Sequence, residues 1–83
     1  MNELLEFLRA RFADEERESG LLRGEQRELA LREVFALRRI VGRARQVLEE
    51  HPGSALADEY TVTVLPNLAF RYAGHPDFRE DWT

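Results

Sequence analysis

The residues best suited to chemistry in this sequence lie in the stretch HPDFREDWT (75–83), which holds the single tryptophan, one of the two histidines and three carboxylates. A histidine beside carboxylates suggests a metal site or an acid–base pair. A metal site would draw on His51, His75, Asp77, Asp81 and Glu49, but no two of these have a ligand spacing such as HExxH. Both histidines directly precede a proline. We therefore interpret them as turn residues and predict no metal and no cofactor.

Catalysis has little support elsewhere in the sequence. Ser19 and Ser54 stand where cap and turn residues belong, and the absence of cysteine excludes thiolate nucleophiles and thiolate metal sites. There is no glycine-rich phosphate loop, and a helical domain of 83 residues offers little room for a deep pocket. The sequence therefore predicts a protein that is not an enzyme and takes no small-molecule substrate.

The tripeptide His75-Pro76-Asp77 has a second interpretation, because it resembles the His-Pro-Asp loop with which J-domain cochaperones engage a chaperone ATPase. A J-domain needs a long helix after this loop, whereas six residues follow Asp77, so a J-like cochaperone is the weaker alternative. In the favoured interpretation, Pro76 begins a short helix and Asp77 stabilises its N-terminus. Phe78 and Trp82, four residues apart, then place both rings on one face that covers the core.

The elements that position these residues follow from composition and periodicity. With 43% hydrophobic and 34% charged residues, the chain is typical of a single globular domain over residues 1–83. The opening MNELLEFLRARF reaches an arginine after a few apolar residues. We therefore expect neither a signal peptide nor a membrane contact, and a cytoplasmic location.

The periodicity predicts an all-α fold: an antiparallel helical hairpin with a long central helix, plus a shorter C-terminal helix and an aromatic tail. The first helix should span about 3–18, with Asn2 as its N-cap and Phe7 half exposed beside the buried stripe. The central helix should span about 25–50. The third should span about 55–73, capped by Ser54 and broken near Pro66, with a tail turn at 76–82. An extended conformation for 60–65 stays open, because YTVTV is rich in β-branched residues.

The central helix carries an apolar face that is wider than one neighbouring helix requires. Its heptad-like seam consists of Ala30, Val34, Leu37, Val41, Ala44 and Leu48. A flank formed by Leu29, Ala36, Ile40 and Val47 widens the face to an arc of about 160°. We predict that Leu29, Ile40 and Val47, together with Phe7, contact a second copy of the chain or another protein. Gly42, outside this face, is a position where a second element could approach closely.

The arginines of the central helix suggest an alternative function. All twelve basic residues are arginines, and RRIVGRAR contains Arg38, Arg39, Arg43 and Arg45. Such a cluster can neutralise phosphates, so nucleic-acid binding is the alternative. On a helical wheel, however, Arg39 and Arg43 border one edge of the apolar face, and Arg38 and Arg45 border the other. Because this division suits a helix–helix interface better than a nucleic acid, and the net charge is −4, we favour a protein partner.

Three segments resemble an uncharacterised domain-of-unknown-function family of actinobacteria and actinophages. NELLEFLRARFADEE (2–16) is similar to its opening DLVAFLRARLDEDE, REVFALRRIV (32–41) to its middle REVEAKRRIV, and LAFRYAGHPDFREDW (68–82) to its end LALPYADHPDYREEW. The resemblance implies a GC-rich source, in agreement with the arginine usage, and no activity. Members often have a longer middle with Cys and His, which this chain lacks. Together with the small size and the composition, the resemblance suggests a more specific hypothesis: a phage-type accessory protein that binds and modulates a host protein.

Overall fold

The computed structural model describes residues 2–82, which form helices and turns without a strand. Helix α1 spans Asn2–Ser19 and helix α2 spans Glu25–Glu50. A third helical segment consists of α3 (Ala55–Glu59), a π-helical turn (Tyr60–Val64) and α4 (Leu65–Phe70). A 3-10 turn follows at Glu80–Trp82. The predicted fold class is confirmed: α1 and the long α2 form the hairpin, and the shorter helical segment and the aromatic tail complete it.

The turns that end the helices use residues suited to them. Gly24 precedes α2 with a φ of 61°, a backbone conformation that glycine adopts without steric cost. Ser54 caps α3, because its hydroxyl oxygen accepts the N–H of Ala57 at 3.1 Å. Helix α1 already includes Asn2, whose predicted capping role depends on a side chain outside the described part of the structure.

The core lies between the hairpin and the third helical segment. It is built from α1 side chains that recur every three or four residues, from the heptad-like seam of α2, and from the inner face of α4. Its buried members include Leu4, Leu8, Phe12, Val34, Leu37, Val41, Ala44, Leu65 and Ala69. The seam predicted from periodicity therefore faces the other two helical segments.

Pro66 shapes the third helical segment without ending it. Proline lacks an N–H, and its ring clashes with the carbonyl four residues earlier in a regular α-helix. The chain accommodates this by widening the preceding turn: Leu65 donates its N–H to the carbonyl of Tyr60, five residues back. Thr61 donates its hydroxyl to the carbonyl of Ala57, four residues back, at 2.9 Å, a bond that often accompanies a bend in a helix. The extended alternative for 60–65 is therefore wrong, and the irregularity lies just before the proline.

The tail differs from the short helix predicted for 76–82. A turn, in which Phe78 donates its N–H to the carbonyl of His75 at 3.0 Å, precedes the 3-10 turn. One α-helical turn gains few hydrogen bonds for the residues it orders. The irregular path instead lets both tail rings reach α1, and the centroids of Phe78 and Trp82 still lie 5.8 Å apart.

No helix within residues 2–82 is both long and apolar enough to cross a membrane.

Candidate interaction surface

Phe7 is the centre of an aromatic cluster that joins α1 to the tail. The ring centroids of Tyr72, His75, Phe78 and Trp82 lie 6.1, 5.8, 6.1 and 5.0 Å from that of Phe7. Only 7% of Phe7 is exposed. The prediction that Phe7 is half exposed and available to a partner is therefore wrong. The helical wheel places it off the buried stripe, but the tail folds back over this side of α1.

Ion pairs connect the C-terminal part of the chain to α1 and α2. The guanidinium of Arg79 contacts the carboxylate of Glu3 and donates two hydrogen bonds to Asp81, at 3.0 and 2.7 Å. Arg71, just after α4, donates to Glu33 of α2 at 2.7 Å and lies 3.6 Å from Glu15 of α1. Because these pairs are exposed, each contributes little free energy.

His75 makes its contacts within the chain. Its ring packs edge-on against Phe7, the guanidinium of Arg11 contacts both ring nitrogens, and Nδ1 accepts the N–H of Asp77 at 3.0 Å. Arg11 also lies over the Phe7 ring, 5.2 Å from its centroid. Pro76 and Asp77 are exposed. These contacts favour the local, structural interpretation of the tripeptide. Within residues 2–82, no cluster of His, Asp and Glu side chains could hold a metal ion.

The apolar flank of α2 is only partly available to a partner. Val47 is 1% exposed, because α3 packs on the C-terminal part of α2, so its predicted place in an interface is wrong. Leu29 and Ile40 are 62% and 39% exposed, and Ala36 between them is exposed as well. We call Leu29, Ala36 and Ile40 the open flank of α2.

The arginines of α2 divide between two surfaces, as the helical wheel predicted. Arg39 and Arg43 border the open flank; Arg43 donates to the neutral amide of Gln46 at 3.1 Å. On the other side, a groove of about 550 Å³ between α1 and α2 is lined by Arg38 and Arg45, with Arg9 of α1 beside them. Each of the two α2 arginines at the groove already pairs with a carboxylate, Arg38 with Glu16 at 2.7 Å and Arg45 with Glu49 at 3.0 Å.

Sequence reasoning did not identify the groove, because Arg9 lies on a different helix from the other two arginines. Gly42 also lines the groove, and a glycine within a helix is the one feature of the sequence that could have indicated an opening there. A Cβ added at Gly42 would meet no atom within 4 Å, so the close approach predicted at this position is not made by the described part of the chain.

The hydroxyl of Tyr72 gives the tail region a pH dependence. Burial, and then the neighbouring Glu15 carboxylate, raise the pKa of Tyr72 from 10.0 to about 12. Below pH 10 the hydroxyl is neutral in both folded and unfolded chains, so it causes no change of stability with pH there. Between pH 10 and 12 the unfolded chain ionises first, so stability falls as the pH rises. We expect urea midpoints measured across this range to fall less in Tyr72→Phe than in the wild type. An equal decline in both would contradict this assignment.

The fold and these surfaces define a small helical domain in which an aromatic tail closes the core and one flank of the long helix stays open. Residues 23–83 match the model of a family of unknown function (DUF6221). Because the match covers most of the chain, the chain belongs to this family. The match confirms an uncharacterised family; it begins after α1 and carries no information on the source organism. Neither a curated protein nor a solved structure matches the chain.

Proposed function

We propose that this chain is a non-enzymatic protein-interaction module that forms a homodimer through the open flank of α2. The observation that carries this proposal is the exposure of Leu29 and Ile40, at 62% and 39%, on a helix that buries Val34, Leu37, Val41, Ala44 and Val47. Leu29, Ala36 and Ile40 are spaced by seven and four residues, the spacing of a seam between two helices. A second α2 could cover them in a single contact.

The direction of the side chains explains why this flank stays open. At 100° per residue, Leu29, Ala36 and Ile40 point about 100° away from the α2 seam that is buried in the core. The third helical segment covers Val47 near the end of α2 but not Leu29, which lies toward its beginning. Arg39 and Arg43 border the open flank, where arginine side chains can lay their aliphatic stems along apolar surface.

Size-exclusion chromatography with light scattering tests the homodimer. We expect the wild type to have twice the chain mass of 9.7 kDa at micromolar concentration. Ile40→Arg places a charge in the apolar seam and should give a monomer that is still folded by circular dichroism. Val62→Arg is the matched control: Val62 is 73% exposed on the π-helical turn, so its replacement should leave the dimer intact. A monomeric wild type would overturn the proposal.

A narrower version of the function is an accessory protein of phage type that binds and modulates a host protein. It is supported by the resemblance to actinophage sequences described above. Affinity capture from an actinobacterial lysate tests it, with an unrelated helical domain as the control bait. Reproducible recovery of one host protein, followed by direct binding of the two purified proteins, would support this version, and failure to recover any specific partner would count against it.

Nucleic-acid binding is the second candidate function, and the groove lined by Arg9, Arg38 and Arg45 is the observation that favours it. A phosphate would have to compete with the carboxylates that already pair with Arg38 and Arg45. A gel shift at about 50 mM salt is the test, because phosphate contacts are strongest at low salt. A shift that Arg9→Gln weakens would support this candidate, and no shift at that salt concentration would remove it.

A further inference from the structure

We propose that the two copies of α2 pair antiparallel, with Leu29 of one copy packed against Ile40 of the other. This inference rests on the proposed homodimer and specifies its geometry. The partner is thus a second copy of this chain, held in one orientation and one register.

The first observation is the order of charges along one edge of the open flank. Helix α2 has Glu25 and Glu28 in its first turn and Arg39 and Arg43 in its second half. At 100° per residue, Glu25 and Arg43 point in the same direction, and Glu28 and Arg39 differ by about 20°. With Arg32 between these two pairs, this edge of the helix is acidic in the first turn and basic beyond it.

An antiparallel pair places this edge against its own copy in the reverse direction. Glu25 then lies opposite Arg43, Glu28 opposite Arg39, and Leu29 opposite Ile40. The three pairings share a midpoint close to Val34, so one two-fold axis brings all of them together. In a parallel pair, the edge would instead face the opposite edge of the flank, and this match would be lost.

The second observation is the position of α3. The proposed pairing uses residues 25–43 and ends before Val47, where α3 packs on α2. A register shifted toward the end of α2 would collide with α3. Arg32 falls opposite Ala36, a small residue that leaves room for the aliphatic stem of the arginine.

Charge exchange distinguishes the two orientations. The variant Glu25→Arg/Glu28→Arg has arginine at all four of the paired charge positions, and Arg39→Glu/Arg43→Glu has glutamate at all four; Arg32, which falls opposite Ala36, is unchanged in both. In the antiparallel arrangement, each variant alone faces like charges and should dimerise more weakly, on the order of tenfold or more, at low salt. A mixture of the two should form a heterodimer with an affinity close to that of the wild type. If each variant dimerises weakly by itself and the mixture shows no preference for the heterodimer, the antiparallel orientation is overturned.

Disulfide cross-linking tests the register, and the absence of native cysteine leaves the background clean. Leu29→Cys and Ile40→Cys, mixed under reducing conditions and then oxidised, should form mainly the mixed disulfide, because opposed positions bring the two Cβ atoms close together. Val62→Cys mixed with Ile40→Cys is the control and should not form a preferred mixed product. A dimer in which Leu29→Cys links to itself would overturn this inference and leave the proposed function standing, whereas a monomeric wild type would overturn both.

Discussion

Replacing Phe7 by alanine should lower the free energy of unfolding by about 3–5 kcal/mol, the usual cost of removing a buried aromatic ring. Phe7 is the residue of α1 on which the tail closes, and its ring contacts the rings of Phe78 and Trp82. The truncation leaves a cavity between α1 and the tail, removes edge-to-face ring contacts, and takes away the surface over which the Arg11 guanidinium lies.

Urea unfolding followed by circular dichroism measures this effect. Phe35→Ala is the matched control, because Phe35 is half exposed on α2 and its truncation should change stability by about 0.5 kcal/mol or less. Phe7→Leu, which keeps an apolar side chain, should recover part of the loss. A Phe7→Ala variant as stable as the wild type would mean that the tail does not close over α1 in solution.

Replacing Trp82 by alanine should cost about 2–4 kcal/mol, less than Phe7→Ala because the indole is only half buried. The indole contacts Phe7 and Phe78, and the Arg79 guanidinium lies 5.8 Å from its centroid. Thermal unfolding of Trp82→Ala measures the loss. Unchanged stability would assign the indole to a binding role instead of a structural one.

A double-mutant cycle isolates the contact between Phe7 and Trp82. If the tail ring acts by packing on Phe7, the double variant should lose less stability than the sum of the two single variants, by about 1 kcal/mol. Strict additivity would show that the two residues stabilise the chain independently. The same cycle between Trp82 and the exposed Phe35 should be additive and serves as the control.

The helices could be predicted from the sequence because their signals are local. The observed α2, Glu25–Glu50, has the predicted bounds, and each end of α1 lies within one residue of its predicted position. Ser54 and Gly24 act at single positions, where a hydroxyl or a left-handed backbone conformation meets a local need. The tail was not predictable in this way: its seven residues form too few hydrogen bonds among themselves to fix a helix, so their path depends on what they pack against.

The candidate surface was predicted only in part, for a related reason. A helical wheel gives the direction of each side chain but not which directions another element will cover. Leu29 and Ile40 remain open, whereas Val47 on the same flank is buried beneath α3. The division of the arginines followed from the wheel, but the groove did not, since Arg9 reaches it from a different helix.

The sequence by itself determined the bounds of α1 and α2, the seam that α2 turns toward the core, and the two edges on which its arginines lie, whereas the third helix ends at Phe70 and not near residue 73 as predicted. These properties depend on residue spacing within one helix, which is fixed at 3.6 residues per turn. Only the tertiary structure decided that the tail covers Phe7, that Val47 is buried and therefore not available to a partner, and that the guanidinium of Arg11 contacts His75. Each of these depends on where distant segments return, and that is set by the packing of the whole chain.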